Sequence, residues 1–284
     1  MIEVDESDRS LLAFHPEWSI LTNISQDHFS LAEVQDLFRA YAAQVRTGVV
    51  CGTGVKGVFG PLTARIVEAV GTVRPSEEGF TAEWRRVVLP VRLPGAHNAM
   101  NALLAAEQCA CLGHAPDRIA EAVSRFRGIQ RRLERVDSGG PVRVIDDYSH
   151  NPAKLAAAWK AVAAPDRRVL GAWQPHGFGP LRAMMEPLAD ALASVCRAED
   201  RLWLLPVYDA GGTADRSVNS DELAERLRAR GAAVNLAGDY TKLGDAMMQE
   251  VRAGDTLLIM GARDPHLPVF AREMALRTAG NTPV

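Results

Sequence analysis

The stretch VRVIDDYSHNP, residues 142–152, combines an apolar run with a group of polar side chains at its end. The apolar part is typical of a buried strand, and the closing proline marks the start of a helix. Between them lie Asp146, Asp147, Tyr148 and His150. So many polar groups in one strand-end loop exceed what packing requires, and we predict a functional site at this position.

Downstream of this stretch, short apolar runs alternate with helical segments. Such alternation predicts a parallel sheet with helices on both faces, in a Rossmann-like α/β domain. Ligands of such sheets bind at the carboxyl ends of the strands, which is where the polar loop lies. The apolar runs are VRVIDDY, RRVLGAWQP, RLWLLPV, AAVNLAG and DTLLIMGA, and the helical segments are 152–163, 180–195, 219–230 and 240–252.

The part of the chain before residue 134 is less regular, and we predict two domains, 1–133 and 134–284. Ser30 followed by Glu33 predicts a capping box at the start of a helix. Strands are predicted at 18–25, 48–52 and within 81–93, and helices at 31–45, 97–113 and 115–126.

Composition and charge exclude several classes of protein. Hydrophobic residues make up 47% of the 284, which indicates a globular chain and not a disordered one. The net charge of −3 provides no basic surplus for nucleic acid or an anionic membrane. The four cysteines form no C-x-x-C pair, and no apolar run reaches the roughly 18 residues of a membrane span. We therefore expect a cytoplasmic protein with reduced thiols.

A glycine-rich loop, Gly52-Thr53-Gly54-Val55-Lys56-Gly57, matches the G-x-G-x-x-G pattern of dinucleotide-binding proteins. A helix should follow such a loop, but Gly60-Pro61 interrupts the chain where that helix should begin. A Walker loop would need Ser or Thr after the lysine. We therefore expect a strand–turn connection, and a nicotinamide-dependent dehydrogenase built on this loop is the alternative.

Two acidic motifs in the first part could hold a hard cation. EVDESD begins at Glu3, and LTNISQDH ends in Asp27-His28 just beyond a predicted strand. Carboxylate and imidazole groups at strand ends can bind Mg²⁺ directly or through water. A solvated acidic turn and a capping histidine are the alternative interpretation.

Two further motifs offer contacts to a nucleotide. Asn98 and Asn101 lie three residues apart on one face of a predicted helix, and carboxamides can pair with the edge of adenine. Asn98 could equally cap that helix. Arg131 and Arg132 offer guanidinium groups for phosphate.

The chain resembles the Mur ligases in four motifs that stand in the same order as in that family: LTNISQDH, GAHNAMNALLAA, RRLE and DDYSHNP. The Mur ligases are ATP-dependent enzymes that form amide bonds during peptidoglycan synthesis. EVDESD, QPH at 174–176 and PVYDAGGT at 206–213 are most similar to the branch that joins L-alanine to UDP-N-acetylmuramate, and the branch that recycles murein peptides onto that sugar is close to it.

The resemblance implies the fold and the cofactors. Residues 1–133 would be the C-terminal part of the P-loop ATPase domain, and 134–284 the C-terminal Rossmann-like domain. The family's Walker loop precedes the first of these motifs. The resemblance therefore implies an incomplete chain, to which a P-loop-bearing segment or subunit must be supplied. ATP and Mg²⁺ are the implied cofactors.

The resemblance also implies a role for individual residues. Glu3 and His28 would bind the metal, and Asn98 and Asn101 would contact adenine. Arg132 would contact phosphate, and Asp147 would hold the ribose. Tyr148, His150 and His176 would approach the amino-acid or muramoyl end.

Three departures from the family leave the substrate open. The alanine-adding branch has one arginine after the QPH histidine and another a few residues on, whereas this chain has Gly177 and Gly179, with Arg182 nearby. The first lysine is Lys56, so a carbamylated lysine has no candidate, and Arg263 stands where the family tends to have glycine. L-Alanine and a peptide both remain candidate substrates, and a non-catalytic nucleotide- or peptide-binding module is the alternative to a ligase.

Overall fold

The computed structural model divides the chain into two units, Met1–Arg127 and Gly128–Val284. It describes residues 1–4, 6, 8–24, 29–76, 79–137 and 139–280. No helix in these ranges is long and apolar enough to cross a membrane.

The division between the units lies earlier in the chain than the predicted boundary after residue 133. The segment before that residue is bonded to the second unit. The Leu133 amide donates to the Asp147 carboxylate at 2.7 Å, and the Arg131 carbonyl accepts from the Tyr148 amide at 2.7 Å.

The first unit contains two small sheets, one parallel in the order β1-β2-β3 and one antiparallel in the order β4-β5-β6. The strand predicted at 18–25 is shorter than expected, and two strands occupy the region predicted around 81–93. The strands are β1 (Trp18–Leu21), β2 (Gly48–Cys51), β3 (Arg65–Glu68), β4 (Thr72–Ser76), β5 (Gly79–Trp84) and β6 (Val87–Val91).

Three α-helices cover these sheets: α1 (Leu31–Ala42), α2 (Ala96–Cys111) and α3 (Pro116–Arg125). The predicted capping box is confirmed, because the Ser30 hydroxyl accepts from the Glu33 amide and the Glu33 carboxylate accepts from the Ser30 amide. Helix α2 packs Leu103 against the antiparallel sheet. Its buried Glu107 accepts hydrogen bonds from Trp84 and Arg85 at 2.7 and 2.6 Å, which satisfies the carboxylate.

The glycine-rich loop is a strand–turn connection, as predicted. Its last two residues begin a 3₁₀ helix of three residues, Lys56–Val58, and the chain then continues to β3. The Gly54 amide donates to the Glu68 carboxylate at 3.0 Å, so an acidic side chain already occupies an amide that a phosphate would need. The loop lacks the helix N-terminus of a dinucleotide site, and the dehydrogenase alternative loses its basis.

The second unit is a six-stranded sheet in the order β11-β10-β9-β12-β8-β7, which confirms the predicted α/β fold. Its strands are parallel except β7, which pairs antiparallel with β8. The strands are β7 (Glu134–Arg135), β8 (Arg143–Asp147), β9 (Val169–Trp173), β10 (Arg201–Leu204), β11 (Val234–Leu236) and β12 (Thr256–Met260).

Helices cover both faces of this sheet. Helices α4, α5 and α6 contribute Leu155, Leu188 and Leu223 to the core on one face, and α7 and α8 contribute Leu243 and Phe270 to the core on the other. The apolar runs separated by helical segments predict four of these helices, and α8 lies beyond the last predicted element. The helices are α4 (Pro152–Val162), α5 (Phe178–Ala193), α6 (Ser220–Ala229), α7 (Tyr240–Glu250) and α8 (Leu267–Ala279).

A tryptophan from α4 packs closely against a glycine of β9. Trp159 is fully buried, and its indole donates to Asp200 at 3.3 Å, which fixes the ring in place. A Cβ added at Gly171 would overlap that ring. The contact between helix and sheet therefore requires glycine at position 171.

We expect Gly171→Ala to lower the free energy of unfolding by about 1–3 kcal/mol, the usual cost of overpacking a core. Gly179→Ala is the matched control, because an added Cβ there meets nothing within 4 Å and the residue lies in α5. That variant should be as stable as the wild type or slightly more so. Urea unfolding of the full chain measures both, and equal stability of the two variants would contradict the packing argument.

Candidate active site

The order of the strands brings three polar loops together at one edge of the second sheet. Strand β12 pairs with β8 on one side and with β9 on the other, so the loops after these three strands are neighbours. Strand β8 ends at Asp147, the loop after it carries Tyr148 and His150, and the loop after β9 carries His176. The predicted location at the carboxyl ends of the strands is where these four residues lie.

Asp147 is buried and nearly saturated with hydrogen bonds. Its Oδ2 accepts from the Leu133 amide at 2.7 Å, and its Oδ1 accepts from the Ser149 amide at 2.9 Å and from the Ser149 hydroxyl. A carboxylate has about four acceptor positions. Three are occupied, so Asp147 can accept one further hydrogen bond, for example from a sugar hydroxyl.

Tyr148, His150 and His176 form a connected aromatic cluster. The Tyr148 and His150 rings meet edge to face at 5.8 Å between centroids, and the His150 and His176 rings do so at 5.0 Å. His150 Nδ1 lies 3.0 Å from the Tyr148 carbonyl oxygen. Because a carbonyl can only accept, Nδ1 carries the proton, and the Nε2 of a neutral His150 ring is left as an acceptor.

The His176 ring is held neutral at physiological pH. Burial, together with the nearby positive charges of His150 and Arg263, lowers its pKa to about 4. A neutral imidazole can accept a hydrogen bond from an ammonium group or from a free amine.

Arg131 serves the interior of the unit and is not a phosphate ligand in this structure. Its guanidinium donates to the carbonyls of Gly261 and Ala262 and lies 5.0 Å from the centroid of the Tyr148 ring. The neighbouring Arg132, the predicted phosphate contact, is exposed.

Beneath this arginine lies a carboxyl group with an unusual environment. Asp146 is fully buried, and the nearest cationic atom is Nε of Arg131, 3.4 Å from Oδ2. Neither Asp146 oxygen accepts a hydrogen bond from the described residues. Burial, only partly offset by Arg131, raises the pKa of Asp146 to about 6.

A second polar chain, which the motifs do not reveal, supports the loop that carries His176. The Tyr240 hydroxyl is 2.8 Å from the Asp264 carboxylate and 3.1 Å from Gln174 Oε1. Gln174 Nε2 donates to the Pro206 carbonyl at 3.3 Å, and Asp264 also accepts from the His266 amide at 2.8 Å. Tyr240 is the first residue of α7, and no local sequence motif links it to the other residues of this hydrogen-bonded series.

The first unit carries the remaining predicted contacts. Asn98 and Asn101 both lie on α2, but Asn98 does not cap it, since Gly95 holds that position. The side-chain Nδ2 of Asn98 donates instead to the Pro94 carbonyl at 2.7 Å. Glu3 is exposed, and His28 lies outside the described residues. Within the described ranges, no group of three or more His, Cys, Asp or Glu side chains could hold a metal ion.

Comparison with known proteins identifies the family. Residues 131–263 match the family model described as Mur ligase, glutamate ligase domain. Over 92% of its length the chain is 34% identical to a UDP-N-acetylmuramate–L-alanine ligase of Stenotrophomonas maltophilia, and over 93% it is 32% identical to one of Salinibacter ruber. Residues 131–263 therefore correspond to the C-terminal domain of the Mur ligases, and the chain as a whole is similar to these enzymes. It spans 61% and 60% of the lengths of these two relatives.

Solved structures of Mur ligases and related enzymes share the fold. The UDP-N-acetylmuramate–alanine ligase MurC of Thermotoga maritima superposes with a TM-score of 0.71 and 22% identity, covering 98% of this chain and 63% of that one. FolC of E. coli, in complex with DHPP and ADP, superposes with a TM-score of 0.64 and 19% identity, and the match covers 98% of this chain and 66% of that one. The murein peptide ligase of Psychrobacter arcticus superposes with a TM-score of 0.58 and 17% identity, and the match covers 96% of this chain and 60% of that one.

We expect Asp146→Asn to raise stability at pH 8 and to leave it nearly unchanged near pH 4. A raised pKa means that the folded state holds the proton more tightly than the unfolded chain. The stability that the protonated form contributes is complete below the ordinary value of 3.8 and is lost as the pH rises through about 6. Asparagine mimics the protonated acid at every pH, so the gain should be on the order of 1–3 kcal/mol.

Urea unfolding of both proteins between pH 4 and 8 measures this difference. Asp245→Asn controls for the loss of an aspartate, because that side chain is 60% exposed and pairs with Arg277. An Asp146→Asn variant that is less stable than the wild type at pH 8 would show that the charged form is favoured.

Proposed function

We propose that this chain belongs to an ATP-dependent ligase that joins L-alanine or a peptide to a UDP-N-acetylmuramate-type acid. The observation that carries the proposal is the Tyr148–His150–His176 cluster with its neutral His176. The relatives named above as UDP-N-acetylmuramate–L-alanine ligases support the substrate class. The chain spans only part of their length, so the proposal includes a P-loop-bearing segment or subunit.

Amide formation in such an enzyme needs an activated acid and an uncharged amine. ATP with Mg²⁺ would supply the activation, by transferring a phosphoryl group to the carboxylate of the acid. The amine substrate arrives as an ammonium ion and must lose a proton before its lone pair can attack the acyl carbon. As phosphate leaves, the nitrogen loses a second proton to give the neutral amide.

The histidine pair suits the amine half of this reaction. Neutral His176 and the Nε2 of His150 can each accept an N–H from the incoming amine, and two acceptors on adjacent rings fix its orientation. With a pKa of about 4, His176 is a weak base, so its role in the proposal is to orient the amine.

The nucleotide contacts are proposed residue by residue. Asp147 has one free acceptor position, which fits a single ribose hydroxyl. Arg132 is proposed for phosphate, and Asn98 and Asn101 for adenine. Glu3 and His28 complete the proposal as ligands of Mg²⁺. We also propose a cytoplasmic location, where ATP and nucleotide-linked sugars are made.

We expect His176→Ala to lower ligation about 10²-fold, the scale on which loss of substrate orientation acts. The assay joins this chain to the P-loop-bearing N-terminal segment of the Stenotrophomonas relative and follows Mg²⁺-dependent ADP release with UDP-N-acetylmuramate and L-alanine. His114→Ala is the control, since His114 lies in the connection between α2 and α3 of the first unit.

Three outcomes of this assay would be informative. Equal loss in both histidine variants would contradict the role of the cluster. Nucleotide binding without any product would favour the binding-module alternative. Robust ATP hydrolysis by the 284-residue chain alone would show that it holds a phosphate site of its own.

A further inference from the structure

The turn after β12 lies between the two histidine loops. Strand β12 pairs with β8 and β9, so the turn it leads into is flanked by the loops of His150 and His176. A Cβ added at Gly261 would lie 3.2 Å from the Gln174 carbonyl oxygen, two residues before His176, so the turn and the QPH loop are in close contact.

Bonds on three residues hold this turn in place. The Gly261 amide donates to the Asp147 carbonyl at 3.1 Å, the Ala262 carbonyl accepts from Arg131 at 3.1 Å, and the Asp264 carboxylate accepts from Tyr240 at 2.8 Å. The backbone that presents the residue between them is therefore well defined.

That residue is Arg263. Its side chain is exposed, and it forms no hydrogen bond or ion pair with any other residue that the structure describes. Its positive charge acts on His176, where it adds to burial and to His150 in lowering the pKa of the ring. Arg263 therefore lies on the same edge of the sheet as the cluster, in the turn between the loops that carry the two histidines.

The arginines near the start of α5 are already paired. Arg182 lies 2.8 Å from the Asp215 carboxylate and donates to the Ser217 hydroxyl at 2.8 Å. Arg216 lies 2.7 Å from the Asp209 carboxylate. Their charges are neutralised within the loop after β10.

We propose that Arg263 binds the carboxylate of the amine substrate while His150 and His176 orient its amino group. A guanidinium offers a planar fork that matches a carboxylate in two parallel hydrogen bonds. An α-amino acid carries both groups on one carbon, and a very short peptide carries them at its two ends. The inference rests on the proposed function and names the residue that selects its second substrate.

The test uses the full 284-residue chain with isotope-labelled histidines, and follows the ring signals of His150 and His176 by NMR. L-Alanine is titrated at constant ionic strength, and L-alaninamide, which lacks the carboxylate, serves as the comparison ligand. We expect a saturable shift with alanine and a much weaker one with the amide. Arg263→Gln should weaken alanine binding at least about tenfold, the effect of losing a charged hydrogen bond.

Arg182→Gln is the matched control and should leave the titration unchanged, and Arg263→Lys should restore part of the affinity. Equal shifts with alanine and alaninamide, a titration unaltered by Arg263→Gln, or no saturable shift in the wild type would each overturn the inference. The binding assay needs no ATP, so its result is separate from that of the ligation assay. Ligation that is unaffected by Arg263→Gln would reject this role and leave the ligase proposal standing.

Discussion

The second unit depends on one half-buried guanidinium. Arg131 enters from the segment before β7, donates to the two carbonyls at the end of β12, lies over the Tyr148 ring and faces the buried Asp146. Its own backbone has a φ of 58°, a left-handed value that costs a non-glycine residue roughly 1–2 kcal/mol. The hydrogen bonds to fixed carbonyls offset that cost. A single side chain thus joins three stretches of chain that are far apart in sequence.

This arrangement explains why the polar edge of the sheet can be crowded with charges. Asp147 is satisfied by amides and a hydroxyl, and Asp264 is satisfied by Tyr240 and the His266 amide. Asp146 is the exception: neither of its oxygens accepts a hydrogen bond from the described residues, and burial, only partly offset by Arg131, raises its pKa to about 6. With Asp147 and Asp264 engaged inside the unit, the two histidines and the exposed Arg263 remain at this edge of the sheet, where they suit a ligand that carries both an amino group and a carboxylate.

Much of this architecture can be predicted from the sequence. Apolar runs separated by helical segments predict the parallel sheet, because strands buried on both faces are apolar throughout, and the Ser30–Glu33 pair marks a helix start by a local mechanism. The strand-end rule places Asp147, Tyr148 and His150 on one edge. The role of Arg131 could not be read in this way, since an arginine pair before a strand is equally suited to a phosphate. Its partners are carbonyls about 130 residues away, and only the folded chain brings them together.

The contact between Trp159 and Gly171 has a consequence for how such chains diverge. The indole covers the glycine so closely that neither position can change by itself without a collision or a void. A larger side chain in the strand is compatible only with a smaller one on the helix, and the intermediate sequences on either path are less stable than both ends. Substitutions at positions 159 and 171 are therefore coupled, and this part of the core can change only when both residues are replaced.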